Sequence, residues 1–352
     1  MPEDPFKEFK YVPKTSEILE AAFNRANKMA GKVGKKPTHV MRVKKSEIRR
    51  IEIAFDYTID YLAGIVSSVP DLGRLSKFYV DLAQILVDND LLRKKLGRIS
   101  GNIKVLDKLK REHISKVSAA SGLNVMKGIR KQAFGRMKSV LDRLEGDFKY
   151  LRATRKKLKS LPVIHESLPA IVLAGYPNVG KTSCINNLCG SKLKVAQYPF
   201  TTKEISIGLF ERNFQKIQVI DTPGILDRPM KKRNKIELQA ILAIQEIADL
   251  MLFLIDPSQH SGFPLPAQLA LLDSISKAFS TTPMMVIINK IDVLDAGTLE
   301  KMCRKIRNPT GGAIVRYSAK TRENELEMLE AIDKVLQKRQ EGDPGKWKTL
   351  KT

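Results

Sequence analysis

The sequence predicts an α/β fold of two parts: an all-α bundle over residues 1–165, then a mixed, mostly parallel six-stranded sheet with flanking helices over 166–338. Three observations predict it. Up to about residue 165 apolar residues recur at spacings of three and four, the period of helices packed on one face. At "LPAIVLAGYP" the pattern changes to short β-branched runs alternating with helical stretches, the mark of a sheet covered by helices. The first of those runs leads straight into a glycine-rich turn, "GYPNVGKTS" (175–183), of the kind that opens a P-loop domain.

In chain order, a first helix is expected from Ser16 to about Met29, capped by Ser16 or Thr15. Ile48, Ile51, Phe55, Ile59, Leu62 and Ile65 define the apolar face of a second helix. Pro70 and Asp71 mark a break and a new start. Leu92, Leu96, Ile99, Ile103 and Leu106 form the next stripe, and Val125, Ile129, Ala133, Met137, Leu141, Leu144, Phe148 and Leu151 the longest one. Pro162 to Pro169 reads as the linker. Strands follow at 170–174, 205–211, 215–220, 250–255, 284–288 and 313–317. The second and third are joined by only "RNF", too short for a crossover, so they should run antiparallel. Residues 339–352, "RQEGDPGKWKTLKT", read as a basic tail.

Composition narrows the function classes. The chain holds 352 residues with 43% hydrophobic content and a net charge of +24. No segment approaches the roughly 20 uncharged apolar residues of a membrane span, and the N-terminus lacks the apolar run of a secretory signal. Three cysteines give no disulfide framework and fit a reducing, cytoplasmic setting; Cys184 and Cys189 fall in an expected helix and read as packing. Residues 1–168 hold 36 basic and 19 acidic side chains, against 26 and 19 in residues 169–352. The excess therefore sits in the helical half, which points to a polyanion such as nucleic acid and away from a membrane. Its densest stretch is "KKPTHVMRVKKSEIRR" (35–50), read as a loop between helices. A second, "RATRKKLKSLP" (152–162), ends a helix, where the dipole alone favours cations. Aromatics are sparse, so backbone and shape contacts are expected rather than sequence readout.

The motifs carry the chemistry. In "GYPNVGKTS" the backbone from Gly175 through Asn178, Val179 and Gly180 to Ser183 can cradle phosphate oxygens at a helix N-terminus. Lys181 can reach the β- and γ-phosphates, and Thr182 can offer its hydroxyl to Mg²⁺. "DTPG" (221–224) closes a strand, with Asp221 placed to hold a metal-bound water and the Gly224 amide to sense the γ-phosphate. "NKID" (289–292) closes another. The Asp292 carboxylate matches two N–H groups of guanine that adenine lacks, a mismatch of the kind that discriminates by roughly 10⁴-fold; Asn289 and Lys290 brace the loop and cover the base. "SAK" (318–320) closes the last strand, where Ser318, Ala319 and Lys320 line the base and the Ala319 amide can donate to guanine O6. Between the P-loop and DTPG lies "YPFTTKEI" (198–205), where Thr201 and Thr202 compete to complete the Mg²⁺ shell; Thr202 is the expected ligand. Lys181, Thr202 and Gly224 are thus the expected catalytic set, and GTP or GDP with Mg²⁺ the expected ligands.

Four residues qualify that reading. Many Ras-like enzymes place a glutamine after the DxxG glycine to orient water, whereas here Ile225 and Leu226 follow Gly224 and read as packing side chains, against the bundle or a ribosomal surface, through which a partner can control the site. Asn178 has two readings: a ligand to K⁺ near the transferring phosphate, or a side chain that tolerates a turn conformation. His260, in "DPSQHSG", is either close to the site or a bystander.

Taken together, "GYPNVGKTS", "YPFTT", "DTPGIL", "NKID" and "SAK" resemble the Obg-like branch of translation-factor-class GTPases. The glycine-rich domain of Obg itself is missing. A basic helical bundle ahead of the G domain is similar to the nucleolar GTP-binding protein (Nog) family of large-ribosomal-subunit assembly factors. That resemblance implies a GTP-hydrolysing switch, Mg²⁺ ligands at Thr182 and Thr202, and a bundle that binds ribosomal RNA or the large-subunit precursor, with ribosomal proteins as further partners. Family members from nucleated cells carry a long C-terminal extension, so a chain that stops soon after the G domain implies an archaeal-type, cytoplasmic form. Two other functions are open on the sequence: an RNA-binding scaffold that uses GTP as a conformational ligand, and a translation or stress regulator on mature ribosomes.

Overall fold

The computed structural model describes residues 4–30, 38–190, 193–197, 204–230, 233–258 and 260–342. They form two compact units that interleave in sequence. One holds Asp4–Leu72 and Leu86–Lys159; the other holds Gly73–Ile85 and everything from Ser160 onward.

The first unit is built from α1 (Thr15–Ala30), α2 (His39–Ser68), α4 (Asn89–Ala119) and α5 (Leu123–Lys159). Ile51, Phe55, Leu62 and Ile65 of α2 are fully or almost fully buried, as their spacing predicts. On α5 the stripe starts one residue later than expected: Val125 is 58% exposed and Met126 is buried. Among the described residues, the buried carboxylates of this core, Glu47 and Asp147, are paired. Glu47 is held by Arg50 and Arg130, and Asp147 lies 2.7 Å from Lys95 and 3.4 Å from Arg98. Burying a carboxylate without such partners is costly, so these contacts take up part of the basic excess internally.

Two basic stretches differ from expectation. Residues 39–50 are not a loop: α2 begins at His39, capped by the Thr38 hydroxyl, which accepts from Met41 N at 3.3 Å. The lysine- and arginine-rich end of α5 is largely engaged by the chain itself. Arg152 donates to Pro13 O at 2.7 Å, Arg155 to Phe9 O at 2.8 Å and Lys157 to Leu86 O at 3.2 Å. Long cationic side chains there satisfy carbonyls of neighbouring segments, which explains that run without an external anion.

The second unit is a seven-stranded sheet among the described residues, with β1 (Ala170–Ala174), β2 (Lys194–Gln197), β3 (Glu204–Arg212), β4 (Gln215–Asp221), β5 (Leu250–Ile255), β6 (Met284–Ile288) and β7 (Ile314–Arg316). Their order is β2-β3-β4-β1-β5-β6-β7. β3 runs antiparallel to both β2 and β4, and the other pairs are parallel. Six strands were expected; β2 is the addition. Lys194 and Val195 are exposed, Val195 by 56%, so no apolar run announces it. Strands β1, β5 and β6 are buried along their whole length, the pattern of parallel strands covered on both faces.

Helices α6 (Lys181–Cys189), α7 (Lys235–Ile247), α8 (Leu265–Ala278), α9 (Ala296–Cys303) and α10 (Glu325–Gly342) complete this unit. Helix α10 runs through residues 339–342, expected as tail; 343–352 lie outside the described residues. Helix α3 (Lys77–Leu86) lies almost wholly within the stretch that joins this unit, although it precedes the bundle's two longest helices in sequence. Its Tyr79 hydroxyl donates to Pro162 O at 3.1 Å and accepts from Ile164 N at 3.0 Å. The expected linker is therefore partly core: Leu161 and Ile164 are buried.

Candidate nucleotide site

Parallel strands place their C-terminal ends, and the loops after them, along one edge of the sheet, where α/β proteins bind ligands. β1 ends at Ala174, and residues 175–180 turn into α6. Gly180 is the N-cap of α6 with φ +103°, and a Cβ there would stand 2.1 Å from Asn289 Nδ2. Only glycine fits. Val179 is buried beneath the turn, and Asn178 sits exposed at φ +62°. The turn-conformation reading of Asn178 is thus met by its backbone. Lys181 is buried and its Nζ donates to Gly175 O and Tyr176 O, both at 2.8 Å. Ser183 is exposed on the first turn of α6.

β4 ends at Asp221. Its Oδ2 accepts from the Thr182 hydroxyl at 3.1 Å, while Oδ1 is buried without a hydrogen-bond partner. Burial pushes this carboxyl above the usual aspartate range, against the pull of the Lys181 charge and the Thr182 hydrogen bond. A buried, unsatisfied carboxylate oxygen beside a hydroxyl is a donor set suited to a hard divalent cation. Thr201 and Thr202, the expected switch residues, lie outside the described residues.

The turn after Asp221 departs from a partner-facing surface. Thr222 Oγ1 donates to Leu173 O at 3.2 Å, and Ile225 and Leu226 are 2% and 1% exposed. Leu226 O accepts from Gly175 N at 3.1 Å, which ties this turn to the P-loop. Ile225 and Leu226 are packing side chains, as expected, but they are buried within the chain itself and not presented to a ribosomal surface, which corrects that part of the sequence expectation. Gly224, at φ +83°, donates its N–H to Asp227 Oδ2 at 2.9 Å. Arg233, its side chain 1% exposed, reaches Gly224 O at 3.4 Å, Arg228 O at 3.0 Å and the Asp227 carboxylate at 3.8 Å. Burial lowers the Arg233 pKa, with the Arg228 charge acting in the same direction. Neither Asp227 nor Arg233 carries a motif signature, and sequence reasoning passed over both.

At the other end, Asn289 is a three-way brace. Its N–H donates to Ile255 O at 2.8 Å, its Nδ2 to Val179 O at 2.8 Å, and its Oδ1 accepts from Ala319 N at 2.9 Å. The P-loop, β5 and the SAK loop meet on one amide. The Ala319 N–H expected for guanine O6 is therefore engaged by Asn289, and serving the base requires sharing or exchanging that bond. Ser318 Oγ donates to Asp292 Oδ1 at 2.6 Å, which fixes the exposed Asp292 carboxylate in its turn. Lys320 is exposed beside it. Lys290, at φ +60°, donates from Nζ to Asp256 Oδ2 at 2.8 Å. Burial raises the Asp256 pKa, but hydrogen bonds from Lys290 and Ser258 outweigh it and hold the carboxyl below its ordinary value. His260 is exposed and its Nδ1 lies 2.9 Å from Ser258 Oγ, so this loop ties it to the Asp256–Lys290 end of the site.

Two further braces were invisible in the motifs. Asn187 of α6 donates from Nδ2 to the Tyr317 hydroxyl and to Ala319 O, both at 2.8 Å. Tyr176 of the P-loop stacks on Phe263 with ring centroids 4.2 Å apart. The stacked tyrosine pins the phosphate turn to the 256–263 loop.

Residues 6–165 match the family model of the NOG1 N-terminal helical domain, and residues 170–290 match that of the 50S ribosome-binding GTPase. A Methanocaldococcus jannaschii protein of uncharacterised role is 35% identical over 293 residues, which is 83% of this chain and 82% of the relative. Nucleolar GTP-binding protein 1 of Caenorhabditis elegans is 33% identical over 288 residues, 82% of this chain and 42% of the relative. The Saccharomyces cerevisiae protein of the same name is 28% identical over 339 residues, 95% and 52% respectively. The chain spans about half the length of these nucleolar relatives.

Proposed function

Since the chain belongs to the nucleolar GTP-binding protein (Nog) family of Obg-like GTPases and carries that family's GTPase domain, we propose that it is a Mg²⁺-dependent, GTP-hydrolysing switch in assembly of the large ribosomal subunit. The observation that carries the hydrolytic part is the Thr182–Asp221 pair, with one buried carboxylate oxygen left unsatisfied at the mouth of the P-loop. Thr182, Asp221 and, from the sequence pattern, Thr202 would hold Mg²⁺, which supplies charge neutralisation on the phosphates. Lys181 then exchanges its two carbonyl partners for β- and γ-oxygens. The amides of residues 178–183 carry the remaining phosphate charge at the start of α6. Gly224 senses the γ-phosphate once its N–H leaves Asp227. Asn289, Lys290, Asp292, Ser318, Ala319 and Lys320 hold guanine.

The residue directly after Gly224 cannot orient water, because Ile225 is buried. The intrinsic reaction is accordingly slow and depends on help from outside: K⁺ at Asn178, a group from a partner, or both. The basic helical unit provides the partner. It carries 34 Lys and Arg against 16 Asp and Glu, and Arg42 stands exposed in the first turn of α2, where the helix dipole disfavours cations. A charge kept against the dipole is well explained by an anion outside the chain, here ribosomal RNA.

The test measures phosphate release from GTP with and without large-subunit precursor particles, in Mg²⁺ and in EDTA. Turnover that needs Mg²⁺ and rises with particles is the expected result. Absence of turnover in both would favour a scaffold that uses GTP only as a conformational ligand. Co-sedimentation that tracks mature subunits rather than precursors would favour the translation-regulator reading. Equal turnover in KCl and NaCl would remove K⁺ from Asn178.

A further inference from the structure

The helical unit contains a cavity of about 540 Å³ that no motif announces, within the range of small-ligand sites. Although aromatics are only 6% of the chain, three tyrosines converge here. Tyr11 is 62% exposed. Tyr57 and Tyr61, one turn apart on α2, have ring centroids 5.9 Å apart at 39°. The Arg25 guanidinium lies 5.6 Å from the Tyr57 ring centroid. Lys10 lines the same wall, its Nζ against Gly64, where a Cβ would stand 3.3 Å from it. Neither cation makes an ion pair among the described residues. Of the two carboxylates in the lining, Asp56 is neutralised by Lys110 at 2.8 Å, and Asp60 is exposed.

We infer that this cavity takes an unpaired nucleotide of an RNA strand: the base stacks on Tyr57 and Tyr61 beneath Tyr11, its phosphate meets Lys10 and Arg25, and Asp60 accepts from an exocyclic amino group. The inference rests on the RNA-binding reading of the helical unit and adds a mode of contact that the reading lacks. Phosphate contacts fix position, whereas tyrosine faces select single-stranded or flipped bases. The charge of the unit decides between occupants. A basic protein tail would suit tyrosines and a carboxylate, but it would approach a surface with a twofold excess of Lys and Arg, two of which already occupy the cavity wall.

The experiment uses the full chain and a 12-nucleotide single-stranded RNA carrying 2-aminopurine, with an RNA duplex of equal length as comparison. Binding should quench the 2-aminopurine. Tyr11→Ala and Tyr57→Ala should each weaken single-strand binding about 10-fold, in line with stacking energies of roughly 1–3 kcal/mol per base. Duplex affinity and the slope of log K against log salt should be unchanged, because no phosphate contact is lost. Tyr57→Phe should restore both affinity and quenching, and thermal melting of each variant checks that it is folded. Unchanged single-strand affinity in the folded tyrosine variants overturns the cavity assignment while leaving RNA binding intact. If the wild type binds neither RNA even at low salt, the RNA reading itself falls and the cavity assignment with it. Saturable binding of a lysine-rich ribosomal-protein peptide that the tyrosine variants abolish, with RNA affinity untouched, would assign the cavity to protein and overturn the inference.

Discussion

At the scale of single residues, Ile225, Asp227 and Asp256 each make a claim that can be measured. Ile225 is 2% exposed, so Ile225→Ala opens a cavity and should cost about 2–4 kcal/mol in urea unfolding; if the loss is below 0.5 kcal/mol, the side chain is not core. Asp227 holds the Gly224 N–H at 2.9 Å, the donor that the proposed mechanism hands to a γ-phosphate oxygen. Asp227→Ala removes the competitor and should favour a non-hydrolysable GTP analogue over GDP by about 10-fold, the equivalent of one charged hydrogen bond. Asp227→Asn, which keeps an acceptor, should shift that ratio less. An unchanged ratio in the alanine variant would show that the contact does not compete with phosphate. Asp256 has a pKa held below the ordinary value, so its pairing with Lys290 stabilises the fold above about pH 4 and is lost as pH falls through the depressed value. Asp256→Asn should therefore be less stable than wild type at pH 7, with the gap shrinking as the pH falls below about 4 and through the depressed value. A gap that persists in acid would mean the loss is one of packing rather than charge.

At the scale of elements, legibility follows how much of the signal is local. β1, β5 and β6 are buried runs of five or six residues with no polar interruption, and their bounds are readable from sequence alone. β2 is four residues long with Lys194 and Val195 exposed, and its antiparallel pairing with β3 is what makes it a strand. The P-loop, DTPG, NKID and SAK motifs are readable because each is a contiguous run of residues. Asn187, Asp227 and Arg233 are not, because each acts through a contact that only the fold creates; the α6 helix pattern gives Asn187 no more weight than any other polar position. The basic stretches show the same limit. Arg155 and Arg42 look alike in sequence, yet Arg155 donates to Phe9 O and Arg42 is exposed in the first turn of α2. Their variants should separate cleanly. Arg42→Ala with Arg49→Ala, Arg49 being exposed on the same helix, should reduce the salt slope of RNA binding by about one per residue and leave the melting midpoint alone. Arg155→Ala should lower the midpoint and leave the slope alone. The reverse pattern would exchange their roles.

At the scale of the whole molecule, the compact units do not follow a single cut near residue 165. Gly73–Ile85 belongs with the GTPase unit, although more than seventy residues of bundle helix separate it from the rest of that unit in sequence. Phe78, Tyr79, Leu82 and Ala83 are buried, and the Tyr79 hydroxyl bridges Pro162 O and Ile164 N. A chain that begins at Ser160 lacks those partners and exposes the surface they cover. Even 3 kcal/mol lost on this account lowers the melting midpoint of a domain of this size by roughly 6–12 °C. The fragment 160–352 should therefore melt well below a version in which residues 73–86 are joined to it by a flexible linker, and Tyr79→Ala in the joined version should return most of the difference. Nucleotide affinity should be similar in both, because α3 contributes no residue to the phosphate or base loops. If the fragment without residues 73–86 melts at the same temperature as the joined one, then the segment contributes nothing to the GTPase unit, and the simple division at residue 165 is the physical one.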